Sequence, residues 1–397
     1  MEVSQAADRL MNASAAFDEG RQAVVERRTA ADSGWLAALA DELERREASP
    51  VARNAVLVSL ASCPGRDMVR LVLERWPTTS APHIEEDPSL PLASARTLAA
   101  VLAQTQKPPT LEAEAPRLLM GTAFERDLAA CWVQEAVLRG QPVGTPPLRR
   151  GWSMLEGHLL HALPLVLESL EARLPGFAPK TDGFHRSGAG GLAMVTTAPV
   201  AGRTRVMPAE DITTPTRASQ IASVGAHARA FHGARIEARV VELADPLQPD
   251  SLDADLVRGL RLACTGPLRL DDAMARPLTP AAAGRRHRSK AQVAVVRREP
   301  AIVFETLMNL ATHGGHTNLV WSAACGRLLA RRSLSGLVGL GQTHAWSEVV
   351  EAAQRCVLWQ ARIDSGWFFG VGADDLLLLV LGEDRRTLSV LGYTDTD

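Results

Sequence analysis

Residues 376–393 read LLLLVLGEDRRTLSVLGY, and this stretch decides the fold class. Leu376 to Leu381 is an unbroken aliphatic run of strand length, and Gly382-Glu383-Asp384-Arg385-Arg386 is a polar turn. Thr387 to Tyr393 then sets Leu388 and Val390 against Thr387 and Ser389. An unbroken apolar run suits a strand covered on both faces, whereas alternation suits a strand with one face in water. The stretch predicts a β-hairpin whose first strand is buried on both sides and whose second is wet on one.

Upstream, the same period of two recurs. Ile236, Ala238 and Val240 alternate with Arg235, Glu237 and Arg239, and Leu192 to Val200 and Gln292 to Val296 also read as strands. Helices are interleaved with them. Asp250 is expected to cap one, with Asp253 and Asp255 in its first turn, Arg258 and Arg261 later, and Leu252, Leu256 and Leu260 on the core face. Another spans Pro300 to Thr312 and is apolar almost all round, the mark of a buried helix.

The first 175 residues carry a helical period instead. Leu36, Leu39, Ala40 and Leu43 recur at i, i+3, i+4 and i+7, with expected ion pairs Asp41 to Arg45 and Glu42 to Arg46. Ser49 and Pro50 start the next helix, Pro64-Gly65 stops it, and a third follows through Val69, Val72, Leu73 and Trp76. Pro77, Pro82, Pro88 and Pro91 mark a loop, after which helices resume at 92–105 and 122–139. Trp152 to Leu174 is read as helical with a kink or break at Pro164. The expectation is an α+β protein, mainly α: an antiparallel, repeat-like helical array over residues 1–175, a Gly- and Pro-rich linker at 176–191, and an α+β domain with a largely antiparallel sheet at 192–397.

Composition narrows the function class. The chain has 397 residues, room for two domains at about 150 residues each. A formal charge of -2 removes any overall electrostatic claim on nucleic acid or anionic membrane. The longest aliphatic run is far short of the ~20 residues of a membrane helix, and the acidic, polar start Met1-Glu2-Val3-Ser4-Gln5 is unlike a signal peptide. Cys63, Cys131, Cys264, Cys325 and Cys356 form no C-x-x-C pair and read as reduced core thiols of a cytoplasmic protein. Lysine occurs only at positions 107, 180 and 290, the coding bias of a high-GC bacterial genome.

The stretch from Thr312 to Gly339, THGGHTNLVWSAACGRLLARRSLSGLVG, with WFFGVGADDLLLLVLG and a YTDTD ending, resembles the C-terminal part of an uncharacterised bacterial family of domains of unknown function. The resemblance covers roughly the last hundred residues. It implies no activity.

Candidate chemistry is sparse. His313-Gly314-Gly315-His316 with Asn318 is the most suggestive cluster: two histidines across a glycine turn could hold a metal with Asp374 or Asp375, or act as an acid and base pair. A helix C-cap explains the same residues with fewer assumptions, since a left-handed cap wants glycine and the dipole favours a terminal histidine. Arg327 and Arg331 share a helix face at i,i+4 and could grip a phosphate or carboxylate, but a solvated face, with Arg332 beside them, is the preferred reading. His158 and His161, spaced i,i+3 with Glu156 nearby, read as packing residues. Arg285 to Lys290 is a basic run without interleaved aromatics, so specific nucleic-acid binding is not expected. Asp395 and Asp397 read as a frayed end, and neither Gly336-x-x-Gly339-x-Gly341 nor Ser187 to Gly191 is a phosphate loop.

No cofactor and no bound metal are expected. The favoured reading is a non-enzymatic interaction protein that holds a protein partner on its helical surface; the alternative is an enzyme of unknown class with a site near His313, His316 and Arg327. Sequence leaves the oligomeric state open.

Overall fold

The computed structural model describes residues 1–12, 15–76, 93–174, 208–226, 234–252, 254–260, 262–265, 293–312, 323–363, 367–368 and 375–394. The expected linker at 176–191 and the expected strand at 192–200 lie outside them. The chain groups into two compact units, one of Met1–Leu167, Leu174–Pro179 and Trp321–Cys325, the other of Glu168–Arg173, Lys180–Val320 and Gly326–Asp397.

The first unit is helical: α1 (Val3–Met11), α2 (Ala15–Thr29), α3 (Ser33–Arg45), α4 (Pro50–Ala61), α5 (Arg66–Arg75), α6 (Ala93–Thr105), α7 (Pro108–Leu118), α8 (Ala123–Leu138) and α9 (Pro146–Ser153). Asp32 caps α3 by accepting from the Trp35 N–H at 3.1 Å, and Leu36, Leu39, Ala40 and Leu43 are buried as their spacing demands. Each buried leucine is worth roughly 1.5–3 kcal/mol over an exposed one. Of the two expected ion pairs, Glu42 to Arg46 forms at 2.6 Å. Asp41 instead takes Arg75 of α5 at 2.7 Å, because that guanidinium reaches both its oxygens, and Arg45 turns to Glu42.

Gln106 pins the turn between α4 and α5. Its amide donates to the carbonyls of Ala61 (3.0 Å) and Cys63 (2.8 Å), and its carbonyl accepts from the Gly65 N–H at 2.9 Å. Gly65 has φ 127°, in the left-handed region that favours glycine. The helix α7 was not expected from sequence: prolines at its first positions are tolerated because those N–H groups have no intrahelical partner, and Pro116 falls near its end. Thr122 and Glu125 form a capping box at the start of α8.

The expected helix from Trp152 to Leu174 is corrected. The chain leaves α9 at Ser153, passes Gly157 at φ 88°, and makes only short 3-10 turns at Leu159–Ala162 and Ser169–Glu171.

In the second unit, six strands among the described residues form one antiparallel sheet in the order β1-β2-β6-β5-β4-β3. They are β1 (Ala209–Asp211), β2 (Arg235–Leu243), β3 (Val293–Arg298), β4 (Val357–Ile363), β5 (Leu376–Leu381) and β6 (Thr387–Thr394). The hairpin forms as read, with Leu381 opposite Leu388 and Leu376 opposite Tyr393. The chain is thus α+β, mainly α, with its antiparallel sheet in the C-terminal part.

One part of the hairpin reading fails. β6 lies between β2 and β5 and is buried along both faces. Leu388 and Val390 join a core with Leu379, Leu381, Trp359 and Leu256. On the opposite face Ser389 is buried because its hydroxyl accepts from Arg217 Nη2 at 3.0 Å, so polarity there marks a buried contact and not solvent.

Helices α10 (Pro215–Ile221), α11 (Ala254–Gly259), α12 (Pro300–Thr312), α13 (Ala323–Leu337) and α14 (Trp346–Arg355) complete the α-helices among the described residues. α11 starts after the expected cap at Asp250, while Leu252, Leu256 and Leu260 are buried as expected. α12 buries Val303, Phe304, Leu307, Met308, Ala311 and Thr312 and keeps its other side half-covered, short of the full burial its composition implied. Gly326 of α13 lies so close to α12 that a Cβ would stand 2.3 Å from Thr312 Cγ2.

Candidate functional site

A buried polar cluster joins α13 to the 3-10 turn at Ser169–Glu171. Arg327 donates from Nε to Glu171 Oε1 at 2.9 Å and from Nη2 to Oε2 at 2.5 Å, a two-pronged grip on one carboxylate. Arg331, one turn on, donates from Nε to Glu171 Oε1 and from Nη2 to Glu168 Oε2, both at 2.9 Å. Its guanidinium also sits 4.3 Å from the centroid of the Trp346 ring, a cation–π contact. Arg327 and Glu171 are both 0% exposed, so the expected solvated face is overturned: sequence spacing placed these arginines together but carried no sign of the glutamates that desolvate with them.

Burial pushes the Glu171 carboxyl up, and the hydrogen bond and charge of Arg327, with the charge of Arg331, more than reverse it, so it lies below the usual glutamate value. Burial lowers Arg331, partly offset by Glu171. The cluster is closed: both oxygens of Glu171 are taken by guanidinium donors, and Arg327 is committed to a protein carboxylate.

His313, His316, Asn318 and Asp374 lie outside the described residues, as do Arg285 to Lys290, Ser187 to Gly191, Asp395 and Asp397. Asp375 accepts from the Thr394 hydroxyl at 2.5 Å, tying the start of β5 to the end of β6. Gly336 and Gly339 serve backbone approach: a Cβ on Gly336 would stand 3.0 Å from the Ile221 nitrogen, and Gly339, at φ 91°, faces Arg217. Among the described residues no group of three or more His, Cys, Asp or Glu is placed to hold a metal.

A second site lies in the first unit. A cleft of about 330 Å³ is lined by Ala123, Arg126 and Asp127 of α8 and by Met154 to His158. His158 is no part of a helical i,i+3 pair: it precedes a 3-10 turn, its Nδ1 accepts from the Leu160 N–H at 3.1 Å, and its Nε2 meets Asp127 Oδ1 at 3.0 Å. Because Nδ1 accepts, the proton belongs on Nε2, which donates to Asp127. Both ring nitrogens are occupied, and the imidazole is a fixed wall of the cleft. His161 packs by Trp152, ring centroids 6.3 Å apart.

Beside the start of α8 stands a third cluster. Glu114 of α7 is buried, and its carboxylate takes Arg66 Nε, Arg70 Nη2 at 3.3 Å and Arg117 Nε at 3.3 Å. Arg117 also reaches Glu125 Oε1 at 3.3 Å.

The pattern of a family of unknown function (DUF6183) matches residues 19–397. The chain belongs to that family. Membership runs through the helical unit as well as the sheet, which corrects the resemblance read from the last hundred residues alone. No curated protein and no solved structure matches the chain.

Family membership assigns no chemistry, so the residues themselves carry it. Glu168, Glu171, Glu114 and Asp127 were all missed in the sequence, since a carboxylate that meets its arginine or histidine from 31, 48, 156 or 163 positions away leaves no local pattern. Proximity of the acid-rich stretch Glu112-Ala113-Glu114 to Pro108-Pro109 was the one usable signal, the proline pair opening a helix that places Glu114 beside α5. Four cysteines, Cys63, Cys131, Cys264 and Cys325, are buried and Cys356 is half-covered. Burial pushes the Cys356 thiol up to about 11. No helix among the described residues is long and apolar enough to cross a membrane.

Proposed function

We propose that this chain is a non-enzymatic, cytoplasmic binding protein that holds a protein partner on the surface of its helical region, residues 1–175, with residues 176–191 as a linker to the sheet-containing region. The observation that carries the reading is a pair of exposed methionines at one end of α8. Met120, shortly before its cap, is 62% exposed, and Met154, in the wall of the cleft, is 64% exposed. Unbranched thioether side chains adapt to varied apolar surfaces, and exposed methionines, one of them in the wall of a cleft, suit a protein contact. The wall's histidine already has both nitrogens engaged, which supports binding over acid–base chemistry. The commitment of Arg327 to Glu171 likewise counts against the alternative of an enzyme site around it.

The test is the paired substitution Met120→Asp and Met154→Asp. Both side chains are mostly in water, so thermal stability should hold, while a protein expected to co-purify with the wild-type chain from the cells that make it should be absent from the variant. A partner retained by the double variant overturns the reading.

A further inference from the structure

We propose that Arg66, Arg70 and Arg117 form a docking site for an acidic segment of a partner protein, with the buried carboxylate of Glu114 holding the three guanidiniums in place. The inference rests on the protein-binding reading above and names the chemistry of the partner.

The geometry is that of an arranged cation cluster and not of a saturated ion pair. Glu114 is 0% exposed, yet the arginine side chains around it stay 52%, 48% and 50% exposed. A guanidinium has five N–H donors in a rigid fork. Arg66 and Arg70 each spend one on Glu114, and Arg117 spends one there and one on Glu125, so most of the donors are not used in these bonds. In these ion pairs three cations meet two carboxylates. Because Glu114 anchors each side chain, binding an oxyanion costs less of the rotamer freedom that a loose surface arginine would surrender.

A polypeptide carboxylate fits better than a nucleic-acid phosphate. The formal charge of -2 gives the chain no general attraction for a polyanion. Met120 lies three residues beyond Arg117, its N–H bonded to the Arg117 carbonyl, and offers an apolar contact next to the cations. A segment alternating acidic and apolar side chains satisfies both features.

The experiment is fluorescence anisotropy on the full chain with a labelled peptide of alternating glutamate and leucine, and with its lysine–leucine counterpart as control. The acidic peptide should bind, weaken with salt, and lose about tenfold in affinity in the Arg70→Gln, Arg117→Gln variant. Arg45→Gln, on α3, should bind as wild type. Should the double glutamine variant fail to fold, replacement of all three arginines by lysine keeps the charge around Glu114, removes the forks, and should still weaken the peptide several-fold. No binding of the acidic peptide, equal binding by the variants, or equal displacement by duplex DNA or inorganic phosphate at matched charge overturns the proposal. If Met120→Asp with Met154→Asp loses the natural partner while the arginine variants keep it, the protein-binding reading stands and this inference falls.

Discussion

Arg327 and Glu171 stand 156 positions apart in sequence and meet with neither exposed to solvent, joined by two hydrogen bonds of 2.9 and 2.5 Å. Removing one partner from a buried pair leaves an uncompensated charge where water cannot reach it. Glu171→Gln leaves Arg327 and Arg331 facing a neutral amide and should lower stability by roughly 3–5 kcal/mol in urea unfolding. A loss near that of a surface substitution, under about 0.5 kcal/mol, would show that the pair is not buried in solution.

The same carboxylate sets an acid limit. Its pKa is depressed in the fold, so the unfolded chain binds the proton more tightly, and protonation favours unfolding. The stabilisation is complete at neutral pH and is lost as pH falls below the ordinary glutamate value of 4.5 toward the lower folded value. Urea midpoints measured from pH 7 downward should therefore fall more steeply for wild type than for Glu171→Gln. Parallel curves would contradict this role.

Close approach of α12 and α13 is tested by filling it. Gly326→Ala puts a methyl 2.3 Å from Thr312 Cγ2 and should destabilise by about 1–3 kcal/mol. Thr312→Ser deletes that methyl, and the double variant should recover most of the loss. Additive losses in the double-mutant cycle would place the contact elsewhere.

Thiol exposure separates one cysteine from four. Cys356 is only half-covered, so native protein should react with Ellman's reagent first at this position, slowly because burial keeps the thiol protonated. The early phase should vanish in Cys356→Ser; its persistence would mean that one of the buried thiols is reached.

What was legible in the sequence was whatever repeats at short range. The aliphatic run at 376–381 and the stripe Leu36, Leu39, Ala40, Leu43 carry their own period, and both elements formed where that period placed them. Ser389 misled because alternation reports polarity and not exposure, and a buried hydroxyl facing Arg217 has the same letter as one facing water. Arg327 and Arg331 were correctly put on one helix face, but their burial depends on Glu168 and Glu171, which local spacing does not reveal. The same holds for Glu114 with Arg66, and for His158, whose acidic neighbour Asp127 comes from α8, 31 positions earlier.

The central claim, a protein partner seated by the methionines at the start of α8, is tested most directly by site-specific photo-crosslinking in the cells that make the chain. A photoreactive residue is placed in turn at positions 120, 126 and 154, and at the exposed sheet-unit positions 242 and 383 as controls. The account predicts one discrete protein adduct from the first three positions and none from the controls. Adducts from 242 or 383 alone, or none from any position, would contradict it.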